Sequence, residues 1–407
     1  MMETIDGVLV AGGGPVGLLT ALKLARAGVP VTVLEAEAEV LNSPRAIAYQ
    51  PPTTAALERL GLLDDVLKRS VKSPDVAFRR VDGSPLAILN WSVLKDTTPY
   101  DYMLLIGQDT LSRVIVSHLK RYAHVEIRWG HRVSGVSQNA NGVTVSAATA
   151  NGEVRIQAPW LAATDGARSP VRESLGIAFE GITWPERFVA TNVFYDFHLH
   201  GYSRANFIVD PVDWAVIAQI DKTGLWRVCY GEDASLSGTE IRARLPERFK
   251  RLLPGAPEPE SYRVDLCNPY RVHQRAAARF REGRVLLAGD AAHATNPIGG
   301  LGLSTGVLDA ERLGEVLAAV WLGKASEDLL DAYAADRRRV FLEVSSPIAS
   351  ENKRRISESD PAKRAQDEAG LAAVNADPAL QFNILSGFEA LNGRWFNERD
   401  HQSGRAD

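Results

Sequence analysis

The sequence predicts an α/β fold extended by an antiparallel sheet and a helical C-terminal segment, and three observations carry that reading. Residues 8–35 run apolar strand, glycine-rich turn, helix, apolar strand and acid, the order of a βαβ unit. Residues 179–267 are rich in β-branched and aromatic side chains, broken by turn pairs such as Asp210-Pro211 and Thr223-Gly224. From Leu303 onward the apolar residues recur at helical spacing.

The first of these segments has the most internal logic. Val8–Ala11 has the length and composition of a buried parallel strand. It runs into Gly12, Gly14 and Gly17, with Pro15 and Val16 opening the helix that follows. Leu18, Leu19, Leu22, Leu24 and Ala25 lie on that helix, Gly28 ends it, and Val31–Leu34 closes on Glu35 and Ala36. In a G-x-G-x-x-G turn the first glycine permits the tight bend, the second lets the backbone approach a pyrophosphate, and the third lets the helix pack on the strand. The helix N-terminus favours an anion. Glu35 stands where such a fold places an acid on a ribose hydroxyl. The unit therefore reads as a Rossmann-like dinucleotide site; the plain alternative is a βαβ unit with a tight turn.

At 407 residues the chain is long enough for two domains and an appended segment. An apolar fraction of 45%, a charged fraction of 24% and a net charge of −4 without a basic block exclude an electrostatic footprint for nucleic acid. No secretory signal opens the sequence, and no apolar run approaches the ~18 residues of a membrane span, so a cytoplasmic protein with no membrane contact is expected. Cys229 and Cys267 are too few for a disulfide framework or a thiolate metal site, and no metal is expected. The sequon at Asn90 carries no meaning without secretion.

Further along, Arg45 sits in a loop beside Pro44, and Thr53 or Thr54 is expected to cap a helix reaching Leu63. Asp82-Gly83 marks a hairpin turn. Asp109 is the expected N-cap of a helix over residues 110–122, with Gln108 just before it. Residues 125–129, 131–138, 143–148 and 154–158 read as short strands of a meander, with turns at Asn141-Gly142 and Asn151-Gly152. Helices are expected over 239–252, 303–322, 329–352, 360–375 and 378–392. The expected division is a discontinuous dinucleotide-binding domain (1–75, 101–178 and 268–345), a β-rich substrate domain (76–100 and 179–267) and a helical C-terminal segment (346–407).

Two later clusters repeat the pattern of strand, glycine and acid. Asp165-Gly166 ends one strand, and Arg168, Ser169 and Arg172 open the next helix. Gly289-Asp290 ends another, followed by a loop with Pro297, Gly299, Gly300 and Gly302 before Leu303. An acid at the carboxyl end of such a strand lies where open α/β sheets bind ligands. His293, on an apolar helix start, reads as structural rather than catalytic.

Together the three clusters resemble those of the single-component flavin-dependent aromatic hydroxylases, the family of para-hydroxybenzoate hydroxylase and 3-(3-hydroxyphenyl)propionate hydroxylase. The resemblance spans residues 8–339 and implies FAD as cofactor. Gly12, Gly14 and Gly17 match the family's site for the ADP part of FAD. Asp165-Gly166 matches its DG motif, and Gly289-Asp290 its GD motif, whose acid holds the ribityl chain. Arg45 and Gln108 match further flavin contacts, and Gly300, Gly302 and Leu303 lie in the loop beside the flavin ring. Tyr333, Arg337 and Arg338 are similar to the family's late helix. Two departures stand out: Asn296-Pro297 replaces the usual Pro-Pro, and Ser304 replaces an Asn. The likeness does not extend to the thioredoxin-like domain of the longer phenol hydroxylases.

The resemblance implies that NADH or NADPH reduces the flavin, that O2 adds to give a flavin C4a-hydroperoxide, and that one oxygen passes to a phenolic or hydroxylated heteroaromatic ring. The nicotinamide has no Rossmann domain of its own here. Pro297 and the residues up to Leu303 are expected to wall one side of the ring, with the aromatic sheet as the other. Tyr270 and Arg271 rank first as groups assisting loss of the substrate's hydroxyl proton, ahead of Tyr49, His198 and His273. A monomer or homodimer is expected. The rival readings are an FAD oxidoreductase without oxygen insertion, reductase or halogenase-like, and a non-catalytic flavin-binding module. A halogenase is disfavoured because Trp91 and Trp395 stand alone, without a W-x-W-x-I stretch.

Overall fold

A computed structural model describes residues 2–394; Trp395 and the end of the expected C-terminal segment lie outside the described residues. The glycine-rich unit builds a six-stranded sheet in the order Arg281–Glu282, Val285–Leu287, Trp160–Ala163, Val8–Ala11, Val31–Leu34, Val125–Arg128. All neighbours pair in parallel except the first, an antiparallel edge. The side chains of the four inner strands are buried in the largest apolar cluster, with the helices Pro15–Arg26, Gln108–Leu119 and Leu301–Trp321 contributing to it. The acids and glycines of the three clusters follow the carboxyl ends of Val8–Ala11, Trp160–Ala163 and Val285–Leu287, three adjacent strands. That adjacency is what brings distant sequence motifs to one rim.

The second large sheet has eight strands, in the order His293–Ala294, Arg263–Ala277, Phe179–Phe194, Leu225–Glu232, Ala215–Gln219, Ala205–Val209, Asp75–Arg80, Pro85–Asn90. Arg263–Ala277 runs unbroken through positions 267 and 268 and ends beside the GD turn, so one strand spans from the outer sheet to the parallel sheet's rim. A four-stranded sheet joins Met2–Thr4 to the Arg132–Asn139, Gly142–Thr149 and Gly152–Ala158 meander.

Several expected elements differ. Val125–Arg128 belongs to the parallel sheet, not to the meander, because it extends the Val31–Leu34 edge. The helix after Tyr49 starts at Pro51 rather than Thr53 or Thr54 and stops at Arg59; paired prolines suit a first turn, where their missing N–H costs nothing. The next long helix starts at Gln108, with Gly107 as cap and Asp109 inside the first turn. The single helix expected over 329–352 is Asp328–Val340, a π-helical turn Phe341–Ser345, and Ser346–Ile356. Pro347 cannot donate the next i→i−4 bond, and the wide turn just before it takes up the shift in register.

Candidate active site

Two cavities meet at the rim. The first, about 520 Å³, is lined by Gly12, Gly13, Gly14, Pro15, Glu35, Ala36 and, on its far side, Asp165 and Gly166. Gly12 has φ +99°, and a Cβ there would stand 2.5 Å from the Thr164 carbonyl oxygen. A Cβ on Gly17 would stand 1.9 Å from the Gly12 oxygen, so this glycine serves close packing and does not line the cavity. A Cβ on Gly14 would meet no protein atom within 4 Å. Its space opens onto the cavity, in front of a helix N-terminus that no side chain caps. Glu35 accepts from the N–H of Gly13 (2.6 Å) and of Glu37 (2.9 Å), which holds the turn and fixes the carboxylate at the cavity. Asp165 accepts from the Val171 N–H at 3.1 Å, while its Oδ1 is buried with no hydrogen-bond partner. Burial pushes its carboxyl above the ordinary range, so a donor from a bound molecule would suit it.

The second cavity, about 540 Å³, continues from the first and shares Gly14, Pro15, Arg45, Gln108, Thr164 and Gly166 with it. Val16, Asp290, Pro297, Gly300, Gly302 and Leu303 line one side. Asp290 opens onto this cavity, and desolvation by the surrounding protein raises its pKa against the pull of His293 and Arg45. The loop before the Leu301–Trp321 helix is held from behind. The buried Asn296 amide donates to the Ala349 carbonyl at 3.0 Å and to Gln274 Oε1 at 3.2 Å, and its own oxygen accepts from the Ile298 N–H. Gln50 donates to the Gly299 carbonyl at 2.7 Å. The departure from Pro-Pro at Asn296 is thus a hydrogen-bonded anchor.

The eight-stranded sheet forms the opposite side. Strand alternation sends Ala190, Ala218, Val216, Arg227, Cys229 and Tyr270 to the cavity. Of the expected aromatic wall only part faces the cavity: Phe207 lines it, whereas Phe197, Trp226 and Tyr230 pack on the sheet's other face against the helix Gly238–Leu252. The small residues Ala190, Ala205 and Ala218 on the cavity face leave room for a ring.

Arg227 is 7% exposed. Its Nε donates to Asn192 Oδ1 at 2.9 Å, and its two terminal nitrogens donate to the carbonyls of Arg45 (2.8 Å) and Pro44 (2.5 Å). It therefore fixes the loop that carries Arg45. Burial raises the Tyr270 phenol and pushes the Cys229 thiol up to about 11, so both stand neutral at physiological pH.

The remaining sequence candidates fall outside the cavities. Arg271 follows Tyr270 on the same strand and so faces away from it, exposed. Tyr49 is fully buried, His273 bonds the Thr183 hydroxyl at 2.8 Å, and His198 packs edge-on against Trp226. His293 is fully buried behind the GD turn, 2.6 Å from Asp309 and stacked on Phe341. Sequence reasoning missed Arg227 and Asn192, which no local motif marks, and met Asn296 only as a departure from Pro-Pro. Among the described residues no cluster of His, Cys, Asp and Glu is arranged to hold a metal ion, and no helix is long and apolar enough to cross a membrane.

Comparison with known proteins places this geometry. The family model described as FAD binding domain matches residues 6–346. The chain belongs to this family. As the three motifs implied, it is a single-component FAD-dependent aromatic hydroxylase. It is 63% identical to para-nitrophenol 4-monooxygenase of Pseudomonas sp. strain WBC-3, over 97% of this chain and 98% of that protein. It is 44% identical to 6-hydroxy-3-succinoylpyridine 3-monooxygenase HspB of Pseudomonas putida strain DSM 28022 / S16, over 90% and 93%. The crystal structure of p-nitrophenol 4-monooxygenase PnpA from Pseudomonas putida DLL-E4 superposes with a TM-score of 0.96 at 61% identity, covering 97% of this chain and all of that one. The residues fit FAD: the open space before Gly14, the orphaned Asp165 oxygen and two end-to-end cavities suit an extended dinucleotide.

Proposed function

We propose that this flavoprotein consumes NAD(P)H and O2 to hydroxylate a compact phenol carrying an electron-withdrawing para substituent, with 4-nitrophenol as the first candidate. The carrying observation is the second cavity: one end suits the flavin ring, and the sheet beyond it presents small residues with Arg227 and Tyr270. The 63% identity to a para-nitrophenol 4-monooxygenase over nearly the whole chain supports the substrate class.

In this reading Gly12, Gly14, Pro15, Val16, Glu35 and Ala36 seat the ADP part. Arg45, Gln108, Asp165, Gly166 and Asp290 seat the middle of the cofactor, and Pro297, Gly300, Gly302 and Leu303 back the ring. When bound, FAD supplies the reduction of O2 and the oxygen transfer. The protein positions the phenol against the ring, excludes water and supplies charge. Oxygen delivered to the carbon bearing a nitro group leaves a ring with two para oxygens. The balance is 4-nitrophenol, O2, NAD(P)H and a proton in; quinone, nitrous acid, water and NAD(P)+ out.

The test is nucleotide oxidation by FAD-loaded protein with and without 4-nitrophenol, with nitrite measured in parallel. Stimulated oxidation with about one nitrite per nucleotide supports the reading. No stimulation and no nitrite overturns it.

A further inference from the structure

Arg227 differs from the buried arginines that sit beside a carboxylate. Arg337 lies 2.7 Å from Asp309 and Arg248 is paired with Asp213, whereas Arg227 makes no ion pair among the described residues. Its three hydrogen bonds all go to neutral oxygens, those of Asn192, Arg45 and Pro44. A guanidinium has five N–H donors, so two remain. The side chain is more than nine-tenths buried and lines the cavity wall opposite the Pro297–Leu303 loop. A desolvated cation without an anion is costly, and the cost is recovered when an anion enters the site. Cys229 and Tyr270 stand beside it on the wall, and both are neutral.

We propose that Arg227 is the electrostatic partner of the substrate's phenolate oxygen and holds the bound phenol in its ionised form. This rests on the proposed function above and names the group that would prepare the ring for oxygen transfer. The O–H bond of the phenol breaks, its proton leaves to bulk water, and the electron pair stays on the oxygen, which raises electron density at the para carbon. The other charged or titratable groups toward Arg227 are Cys229 and Tyr270 on the sheet and Asp109 on the helix Gln108–Leu119. Arg45 and Asp290 line the same cavity. Tyr270, kept as a phenol and hydrogen-bonded to the Cys229 thiol, adds no charge to that wall.

4-Nitrophenol reports its own ionisation, because its phenolate absorbs visible light and its phenol form does not. FAD-loaded protein is titrated with 4-nitrophenol across pH without NAD(P)H, and the phenolate fraction is read after subtracting free ligand. For wild type the bound phenolate-to-phenol ratio at a given pH should exceed that of free ligand by about tenfold or more, the scale of one nearby charge in a partly buried site. Arg227→Gln keeps donors for the loop carbonyls but loses the charge, and should erase that excess. Arg227→Lys keeps the charge but not the fork, and should retain most of it. Flavin content of each variant reports whether the Arg45 loop still seats FAD. If wild type binds 4-nitrophenol with no excess of phenolate, or if the Lys and Gln variants lose it equally, the proposal is overturned while the proposed function stands. If wild type neither binds 4-nitrophenol nor oxidises NAD(P)H in response to it, the proposed function fails and takes this inference with it.

Discussion

At position 14 an added methyl group would meet no protein atom within 4 Å, whereas at position 17 it would stand 1.9 Å from a backbone oxygen. The two glycines of one motif therefore have separable roles. Gly17→Ala forces the helix off its turn and should lower apoprotein stability by about 1–3 kcal/mol, the usual scale of overpacking. Gly14→Ala should leave apoprotein unfolding unchanged and weaken FAD binding by about tenfold or more, since the methyl occupies the space a pyrophosphate needs. Thermal unfolding of the apoprotein and flavin fluorescence titration separate these outcomes. A stable, FAD-retaining Gly14→Ala variant would remove the glycine from the cofactor site. Gly12, Asp165 and Asp290 were legible because each ends a strand at or beside a glycine, and Glu35 because it closes the second strand of the same βαβ unit. Arg227 was not. It lies on a sheet buried on both faces, against the helix Gly238–Leu252 on one side and the cavity on the other. Alternation then says which residues share a face but not which face meets the ligand.

Asp309, on the helix Leu301–Trp321, ties three elements together. Its Oδ2 accepts from the Gly289 N–H at 3.1 Å and faces His293 at 2.6 Å, and its Oδ1 takes Arg337 at 2.7 Å from the helix Asp328–Val340. All four groups are buried, so this network sets where the GD turn presents Asp290. Burial alone would raise the Asp309 carboxyl, but His293 and Arg337 outweigh it and hold it at about 2, below the 3.8 of a free aspartate. A folded pKa below the unfolded one contributes stability that is present above about pH 4 and is lost as pH falls toward 2. Asp309→Asn leaves Arg337 buried without its counter-charge and should cost about 3–5 kcal/mol at neutral pH. It should also flatten the loss of stability between pH 4 and 2. Denaturant midpoints measured from pH 7 downward check both; an unchanged acid slope would show that Asp309 does not carry it. The structural reading of His293 and the late helix with Tyr333 and Arg337 were legible in the sequence, but their junction was not, because a turn, two helices and a histidine meet only after the chain has folded.

The C-terminal helices Pro361–Ala376 and Pro378–Ser386 were legible as helices over 360–375 and 378–392, but without a role. Their partners are far away in sequence. Asn375 accepts from the Ile88 N–H and Gln381 from the Asn90 N–H, which covers the edge strand Pro85–Asn90 of the eight-stranded sheet. Arg337 donates to the carbonyls of Leu391 and Asn392, which ties the same segment to the network behind the GD turn. The segment thus touches the eight-stranded sheet at one end and the helix Asp328–Val340 behind the GD turn at the other. Leu385 and Leu371 share one apolar cluster with Trp91, Ile356 and Ile298, and Ile298 belongs to the loop that backs the proposed flavin ring. Support for that loop therefore comes from the far end of the chain as well as from Asn296. Leu385→Ala empties a position only 2% exposed and should cost about 2–5 kcal/mol. Because a loosened wall admits water to the site, the same variant should release more hydrogen peroxide per NAD(P)H consumed and less hydroxylated product. Peroxide and product measured together at saturating substrate, beside denaturant unfolding of the same preparation, separate the two effects. Lower stability with unchanged coupling would confine the C-terminal helices to covering the sheet edge, and a rise in peroxide would place them in control of how dry the site stays.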